Sequence, residues 1–303
     1  MKSNFSLGIN TGFAVNRYSE HDQWIKIIGK DLNLKNIQLT ADILNPSLTD
    51  EIIEKHIYQI NNNCKKFNTK VTSTFTGAFT RVNHLAHPDI LVRKFWLNWF
   101  KRFVDITVNL GAKSMGSHFG IFTHRDNNDK ELRKERRIQN IEGWHEIATY
   151  AKKKGLQFLT WEPMSINREQ GETIEATRKL NEDVNKGSPL PFYLCLDVDH
   201  GDLSSKNPDD TDPYKWIIEF SSISPIIHLK QSYQNKGGHW PFTKEHNAKG
   251  KIIPEKVIKY LKDNGANNTE LLLELSFKER EPFDSTVKEV LKESVDYWRK
   301  HIV

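Results

Sequence analysis

Short runs of apolar and β-branched residues recur along the chain, each bounded by polar or glycine-containing punctuation. They are "FSLGIN" (5–10), "NIQLTADIL" (36–44), "KVTSTF" (70–75), "GAKSMGSHF" (111–119), "GLQFLTWE" (155–162), "FYLCLDVD" (192–199), "SPIIHLKQS" (224–232) and "ELLLELSF" (270–277). Each reads as a strand. Longer segments with helical periodicity lie between them. "TDEIIEKHIYQINNNCKKF" (49–67) places Ile52, Ile53, His56, Ile57 and Ile60 on one face. "LVRKFWLNWFKRFVDITVNLG" (91–111) and "IEGWHEIATYAKKKG" (141–155) end at glycines of the kind that cap helices.

Eight strands alternating with helices, at a spacing of about 30–45 residues, predict a parallel sheet, and the count of eight predicts an α/β fold of the (β/α)8 TIM barrel type. A doubly wound open sheet is the rival. It would more often carry a glycine-rich phosphate loop after its first strand, and "GINTGFAVNR" has no GxGxxG. No linker is visible, so residues 1–303 read as one domain. The charge-dense "RDNNDKELRKERR" (125–137) reads as loop and solvated helix face.

Composition narrows the class. Hydrophobic residues make up 37% and charged residues 27% of the 303 positions, and eight Trp and sixteen Phe supply a sizeable core, which argues against disorder. The formal charge of +5 is small and the basic residues are scattered. That is a weak pointer to an anionic ligand and a weaker one to nucleic acid. The two cysteines, Cys64 and Cys195, form no disulfide framework and no CxxC. The start "MKSNFSLGIN" lacks the apolar region of a signal peptide, and no run reaches the length of a membrane span. The expectation is a cytoplasmic, soluble protein with no nucleic-acid or membrane partner. A homo-oligomer is compatible with all of this.

In a barrel of this kind the strand interiors are packed apolar layers, and catalytic groups sit at the C-terminal strand ends. The first polar residue to interrupt each of the last four runs is Glu162, Asp197, His228 and Glu274. Taken singly, a carboxylate at a strand end is more often a loop contact or helix cap, and a histidine after two isoleucines is more often hydrogen-bonded core. Four such groups at equivalent heights on four successive strands are harder to assign that way. Three carboxylates in one barrel mouth repel each other unless a cation is present. Three oxygens and one imidazole suit Mn²⁺, Mg²⁺ or Co²⁺ better than a thiolate-preferring metal. Within "FYLCLDVDHGD" (192–202), Asp197 has the height of a ligand, Asp199 stands a layer further out, and Asp202 after Gly201 reads as a turn or cap residue. Strand alternation puts Lys230 on the face of His228, as a charge facing the substrate oxygens. His118, closing the fourth run, is a further mouth-facing candidate. Phe13, Trp24, Phe75 and Cys195 read as packing.

At these residues the chain resembles the xylose-isomerase-like TIM barrels, the sugar-phosphate isomerase/epimerase superfamily. "LDVDH" (196–200) matches the LDxxH element of its ketose 3-epimerases. "WEPMSINREQGETIEAT" (161–177), "CLDVDHGD" (195–202) and "LKQSYQNKGGHWPFTKEHNAKGKI" (229–252) look most like the erythrulose-phosphate (tetrulose-phosphate) 3-epimerases within it. The likeness spans essentially the whole chain. It implies one divalent metal ion, Mn²⁺ ahead of Mg²⁺ or Co²⁺, bound by Glu162, Asp197, His228 and Glu274. It also makes Glu162 and Glu274 the proton-transfer pair, with His200 beside substrate or a ligand. Many of these epimerases carry an arginine shortly after the seventh-strand histidine, touching both substrate and catalytic glutamate. Here Lys230 and Gln231 occupy that neighbourhood, so the far half of the sugar is handled differently.

The implied chemistry is proton abstraction beside a ketose carbonyl, with an enediolate stabilised by the metal as a Lewis acid. One carboxylate removes the proton and the other returns one to the opposite face. Phosphate sites follow strands seven and eight in many such barrels. Lys236, His239, Lys244, Lys249 and Lys251 of the long seventh loop, with Arg168, are therefore the expected contacts of a sugar or sugar-phosphate substrate. The same intermediate also serves aldose–ketose isomerisation or a free-ketose 3-epimerase. A multi-zinc phosphodiesterase or endonuclease would need more strand-end histidines than the loop residues His84 and His87 supply. An idle sugar-binding module would have lost a ligand, and an inosose-type dehydratase is a further relative.

Overall fold

In a computed structural model, described for residues 4–234 and 236–302, eight parallel strands close into a single barrel ringed by helices. The barrel strands are β1 (Phe5–Asn10), β2 (Asn36–Thr40), β3 (Lys70–Phe75), β4 (Ser114–His118), β5 (Phe158–Glu162), β6 (Phe192–Asp197), β7 (Ile226–Leu229) and β10 (Thr269–Leu273). Closure runs through β1 against β10, with Leu7 opposite Leu271 and Ile9 opposite Leu273. Every run expected to be a strand supplies one. Most of these strands are buried along their length, which is why they read as near-continuous apolar or β-branched segments rather than clean alternations. Phe75, Cys195, Ile226 and Leu272 pack together as a small cluster of their own, separate from the large core that includes Trp24, Trp144 and Trp298. A Cβ at Gly116 of β4 would collide with the Thr160 hydroxyl and the Phe75 ring, so only glycine fits there.

The elements follow the sequence with three adjustments. In α2 (Asp50–Lys66) the buried stripe is Ile53, Ile57, Ile60 and Cys64, while Ile52 is 37% exposed. The i, i+4, i+7, i+11 spacing explains this, because Ile52 lies about 100° around the helix from Ile53. The basic stretch 125–137 forms α4 (His124–Asn128) and the first turns of α5 (Lys130–Lys154). It is not wholly solvated: Asp126 is fully buried and Arg136 nearly so, joined at 3.0 Å. Gly155 caps α5 with a left-handed φ of 96°, as the "KKKG" ending predicts.

The third adjustment bears on the site. The run 224–232 is not one strand. After β7 the chain leaves the barrel at Lys230, and β8 (Gln231–Tyr233) pairs antiparallel with β9 (Lys236–Trp240). The turn-out is anchored by the Gln231 side chain, which accepts from the Ile252 N–H and donates to its carbonyl. The resulting hairpin carries His239 back over the barrel mouth. Among the described residues, no helix is long and apolar enough to cross a membrane.

Candidate active site

A cavity of about 570 Å³ opens at the C-terminal ends of the barrel strands, and Glu162, His200, His239 and Glu274 line it. Glu162 closes β5, Asp197 closes β6, His228 lies in β7 directly opposite Asp197, and Glu274 is the first residue beyond β10. One potential ligand atom from each of these four lies within 4.8 Å of the others. Glu162, Asp197 and His228 are buried.

Hydrogen bonds fix which atoms face inward. His228 Nε2 stands 2.7 Å from Gln38 Oε1, which also accepts from Asn10 Nδ2 at 2.9 Å. Gln38 therefore accepts a hydrogen bond from His228 Nε2, and the other ring nitrogen, Nδ1, points at the carboxylates. It lies 3.0 Å from Glu162 and 3.2 Å from Glu274. Asp197 Oδ1 accepts from the Asp199 N–H at 2.7 Å and from the fully buried Lys230 ammonium at 3.0 Å. Asp197 Oδ2 and Glu274 Oε2 are buried and have no hydrogen bond. Two unsatisfied carboxylate oxygens converging with an imidazole nitrogen are what a divalent cation would complete. The cluster can hold a metal ion through oxygen and nitrogen donors.

The two glutamates differ electrostatically. Burial, and then the charge of Glu274, pushes the Glu162 carboxyl up to about 7. Burial would raise Glu274 too, but His228, followed by His239 and Lys230, holds it well below the usual carboxylate range. The two glutamates thus stand in unlike electrostatic surroundings within one cluster.

Two more histidines complete the floor. His200 Nδ1 donates to the Pro163 carbonyl at 3.2 Å, and its Nε2 is 3.7 Å from Asp197 Oδ2. Its loop is held close because a Cβ at Gly201 would collide with the Asp210 carbonyl. His239 reaches Glu274 from the hairpin, with Nδ1 3.5 Å from Oε2, while Lys230 donates to its Nε2 at 3.4 Å. His239 and Lys230 therefore stand beside Glu274. Asp199 pairs with Lys251 at 2.6 Å, and Asp202 accepts from the Ser204 N–H as a turn residue does.

His118 lines the cavity, yet both of its ring nitrogens are engaged. The Leu85 N–H donates to His84 Nδ1, so His84 Nε2 carries the proton that it gives to His118 Nδ1 at 3.2 Å. His118 Nε2 in turn donates to the Thr80 carbonyl. This relay of fixed tautomers ties the loop after β3 to β4. Arg168 donates to the Phe122 carbonyl, and neither it nor the exposed Lys249 lines the cavity; the same holds for Lys236 and Lys244. The arginines that do line it are Arg17 and Arg81. Sequence reasoning passed over both, along with Gln38. Position shortly after β1 and β3 was the available signal for the arginines. For Gln38 it was an amide flanked by Ile37 and Leu39 inside a buried strand.

Comparison with known proteins places this site in context. Residues 19–301 match the family described as Xylose isomerase-like TIM barrel, and the chain belongs to that family. It is 44% identical over 298 residues, 98% of this chain and 96% of the relative, to D-erythrulose 1-phosphate 3-epimerase of Brucella abortus (strain 2308). The chain is an enzyme of the isomerase class. Among solved structures it is similar to a candidate xylose isomerase from Rhodospirillum rubrum ATCC 11170, with a TM-score of 0.88 and 24% identity over 98% of this chain and 99% of that one. It is also similar to D-psicose 3-epimerase with D-tagatose from Clostridium cellulolyticum H10, with a TM-score of 0.71 and 14% identity over 98% and 99% of the two chains. At these identities the two structures support the shared barrel alone.

Proposed function

We propose that the protein is a divalent-metal-dependent 3-epimerase of a short ketose phosphate of the erythrulose (tetrulose) phosphate type. The observation that carries the reading is the convergence of Glu162, Asp197, His228 and Glu274 within 4.8 Å of one another, with Glu162 and Glu274 lining one cavity. The near-full-length relative, a D-erythrulose 1-phosphate 3-epimerase, supports the substrate class. Glu162, Asp197, His228 and Glu274 would hold the ion, Mn²⁺ or, with the same donors, Mg²⁺ or Co²⁺. When bound, the ion supplies positive charge that acidifies the C–H beside the ketose carbonyl.

The chain's own residues do the rest. The Glu274 carboxylate takes the C3 proton from one face, and the Glu162 carboxylic acid delivers a proton to the other, inverting the centre. In the reverse direction the two exchange roles. His200 and His239 offer ring nitrogens to substrate oxygens, and Lys230 fixes Asp197. The reaction in D₂O, followed by NMR with D-erythrulose 1-phosphate, tests the reading. Deuterium at C3 together with the second epimer is the expected result. Label at the aldose–ketose positions would instead assign an isomerase, and no exchange with any ketose or ketose phosphate would end the proposal.

Gln38 gives a separate check. By holding the proton on His228 Nε2 it presents Nδ1 as a lone pair, so Gln38→Leu should weaken Mn²⁺ binding by roughly 10–100-fold. Calorimetric titration of the metal-free protein measures this directly. Unchanged affinity would remove Gln38 from the site.

A further inference from the structure

The proposed substrate carries a dianionic phosphate, and the cavity floor is lined with carboxylates. The phosphate therefore needs a cation at the far end, and the lysines of the seventh loop lie outside the cavity lining. Of the two arginines that line it, Arg81 directs both Nε and Nη2 to the buried carboxylate of Glu169, at 3.3 and 2.6 Å, and its side chain is 53% exposed. That bidentate pairing satisfies Glu169 and ties Arg81 to the loop after β5. Arg17 is held differently. Its side chain is only 9% exposed, Nε donates to Asp284 at 2.6 Å, and Nη2 donates to the Phe277 carbonyl at 3.3 Å. Nη1 makes no hydrogen bond among the described residues.

The anchor point sets the distance. Phe277 is three residues beyond Glu274, and every residue from 274 to 277 lines the cavity. Three residues span at most about 11 Å, so Arg17 is docked within reach of a phosphate whose sugar carbon faces Glu274. Ser276 lies on the same stretch, and its hydroxyl makes no hydrogen bond among the described residues. This places an oriented guanidinium just past the last barrel strand, a region where barrels of this kind often bind phosphate. Resting on the ketose-phosphate reading above, we propose that Arg17, assisted by the Ser276 hydroxyl, binds the substrate phosphate and gives the site its preference for phosphorylated over free ketoses. Arg81 is a loop anchor in this assignment.

The test compares kcat/KM for D-erythrulose 1-phosphate and for free D-erythrulose in the wild type and in Arg17→Met, Arg17→Lys and Arg81→Met, together with competitive inhibition by inorganic phosphate. Loss of one buried charge-assisted contact is expected to lower the phosphorylated-to-free ratio about 100-fold in Arg17→Met, mainly through KM. Inhibition by inorganic phosphate should weaken in parallel. Arg17→Lys keeps the charge without the fork and should fall between. It also keeps the test open if Arg17→Met loosens the loop that Asp284 anchors. Arg81→Met should change both substrates together. An unchanged ratio in both Arg17 variants, or a ratio that collapses in Arg81→Met instead, overturns the assignment. A wild type that epimerises both sugars equally well would sink this inference and leave the epimerase standing. A wild type that epimerises neither would remove the function itself.

Discussion

Glu162→Gln and Glu274→Gln should each lower epimerase turnover by about three orders of magnitude, within the range that general acid–base groups contribute. Glutamine keeps the shape and much of the hydrogen bonding of the carboxyl but cannot accept or release a proton. Folding should survive in both. Burial raises the Glu162 carboxyl, and a glutamine side chain at that position is an uncharged near-isostere of it. The sharper signature is in isotope exchange. In Glu162→Gln, Glu274 can still remove and return a proton on its own face. The epimer whose C3–H faces Glu274 should therefore exchange with D₂O without inverting, and the other epimer should be inert. Glu274→Gln should show the mirror-image pattern. If both epimers exchange in either variant, the two-sided mechanism is wrong.

Removing divalent metal should abolish turnover and lower thermal stability, and adding Mn²⁺ or Co²⁺ should restore both. The physical ground is the pair of buried carboxylate oxygens, Asp197 Oδ2 and Glu274 Oε2, that no donor satisfies, set beside His228 Nδ1. A ligand that binds only the folded state at a hundred times its Kd stabilises by about 2.7 kcal/mol. Mn²⁺ at that excess should therefore raise the melting temperature of EDTA-treated protein by a few degrees, a readout independent of substrate. Asp197→Asn should lose most of that rise. Full activity in exhaustively demetallated protein would refute the metal requirement.

Much of this enzyme is legible in its sequence. The eight strands were visible because a parallel barrel buries both faces of each strand, which produces short apolar runs at a steady spacing. Glu162, Asp197, His228 and Glu274 were visible because polar residues that interrupt such runs lie at or near the strands' C-terminal ends, which the barrel brings together. The hairpin after β7 was not. Whether "HLKQS" (228–232) continues as barrel or turns outward depends on Gln231 finding the backbone of Ile252, twenty-one residues away.

The sequence by itself determined the barrel and the identity of the four groups on its floor, because strand period and strand termination are local properties of the chain. The tertiary structure alone decided which atoms those groups present and which cations join them. Gln38, 190 residues from His228 along the chain, orients that imidazole through its side-chain carbonyl. Lys230 lies buried against Asp197, while Lys236, Lys244 and Lys249 of the long loop stay outside the cavity lining. Arg17 lines the cavity because Phe277 and Asp284, 260 and 267 residues further on, hold its guanidinium there. A loop residue's orientation is set by partners distant in sequence, and nothing in the residues around it encodes where those partners will be.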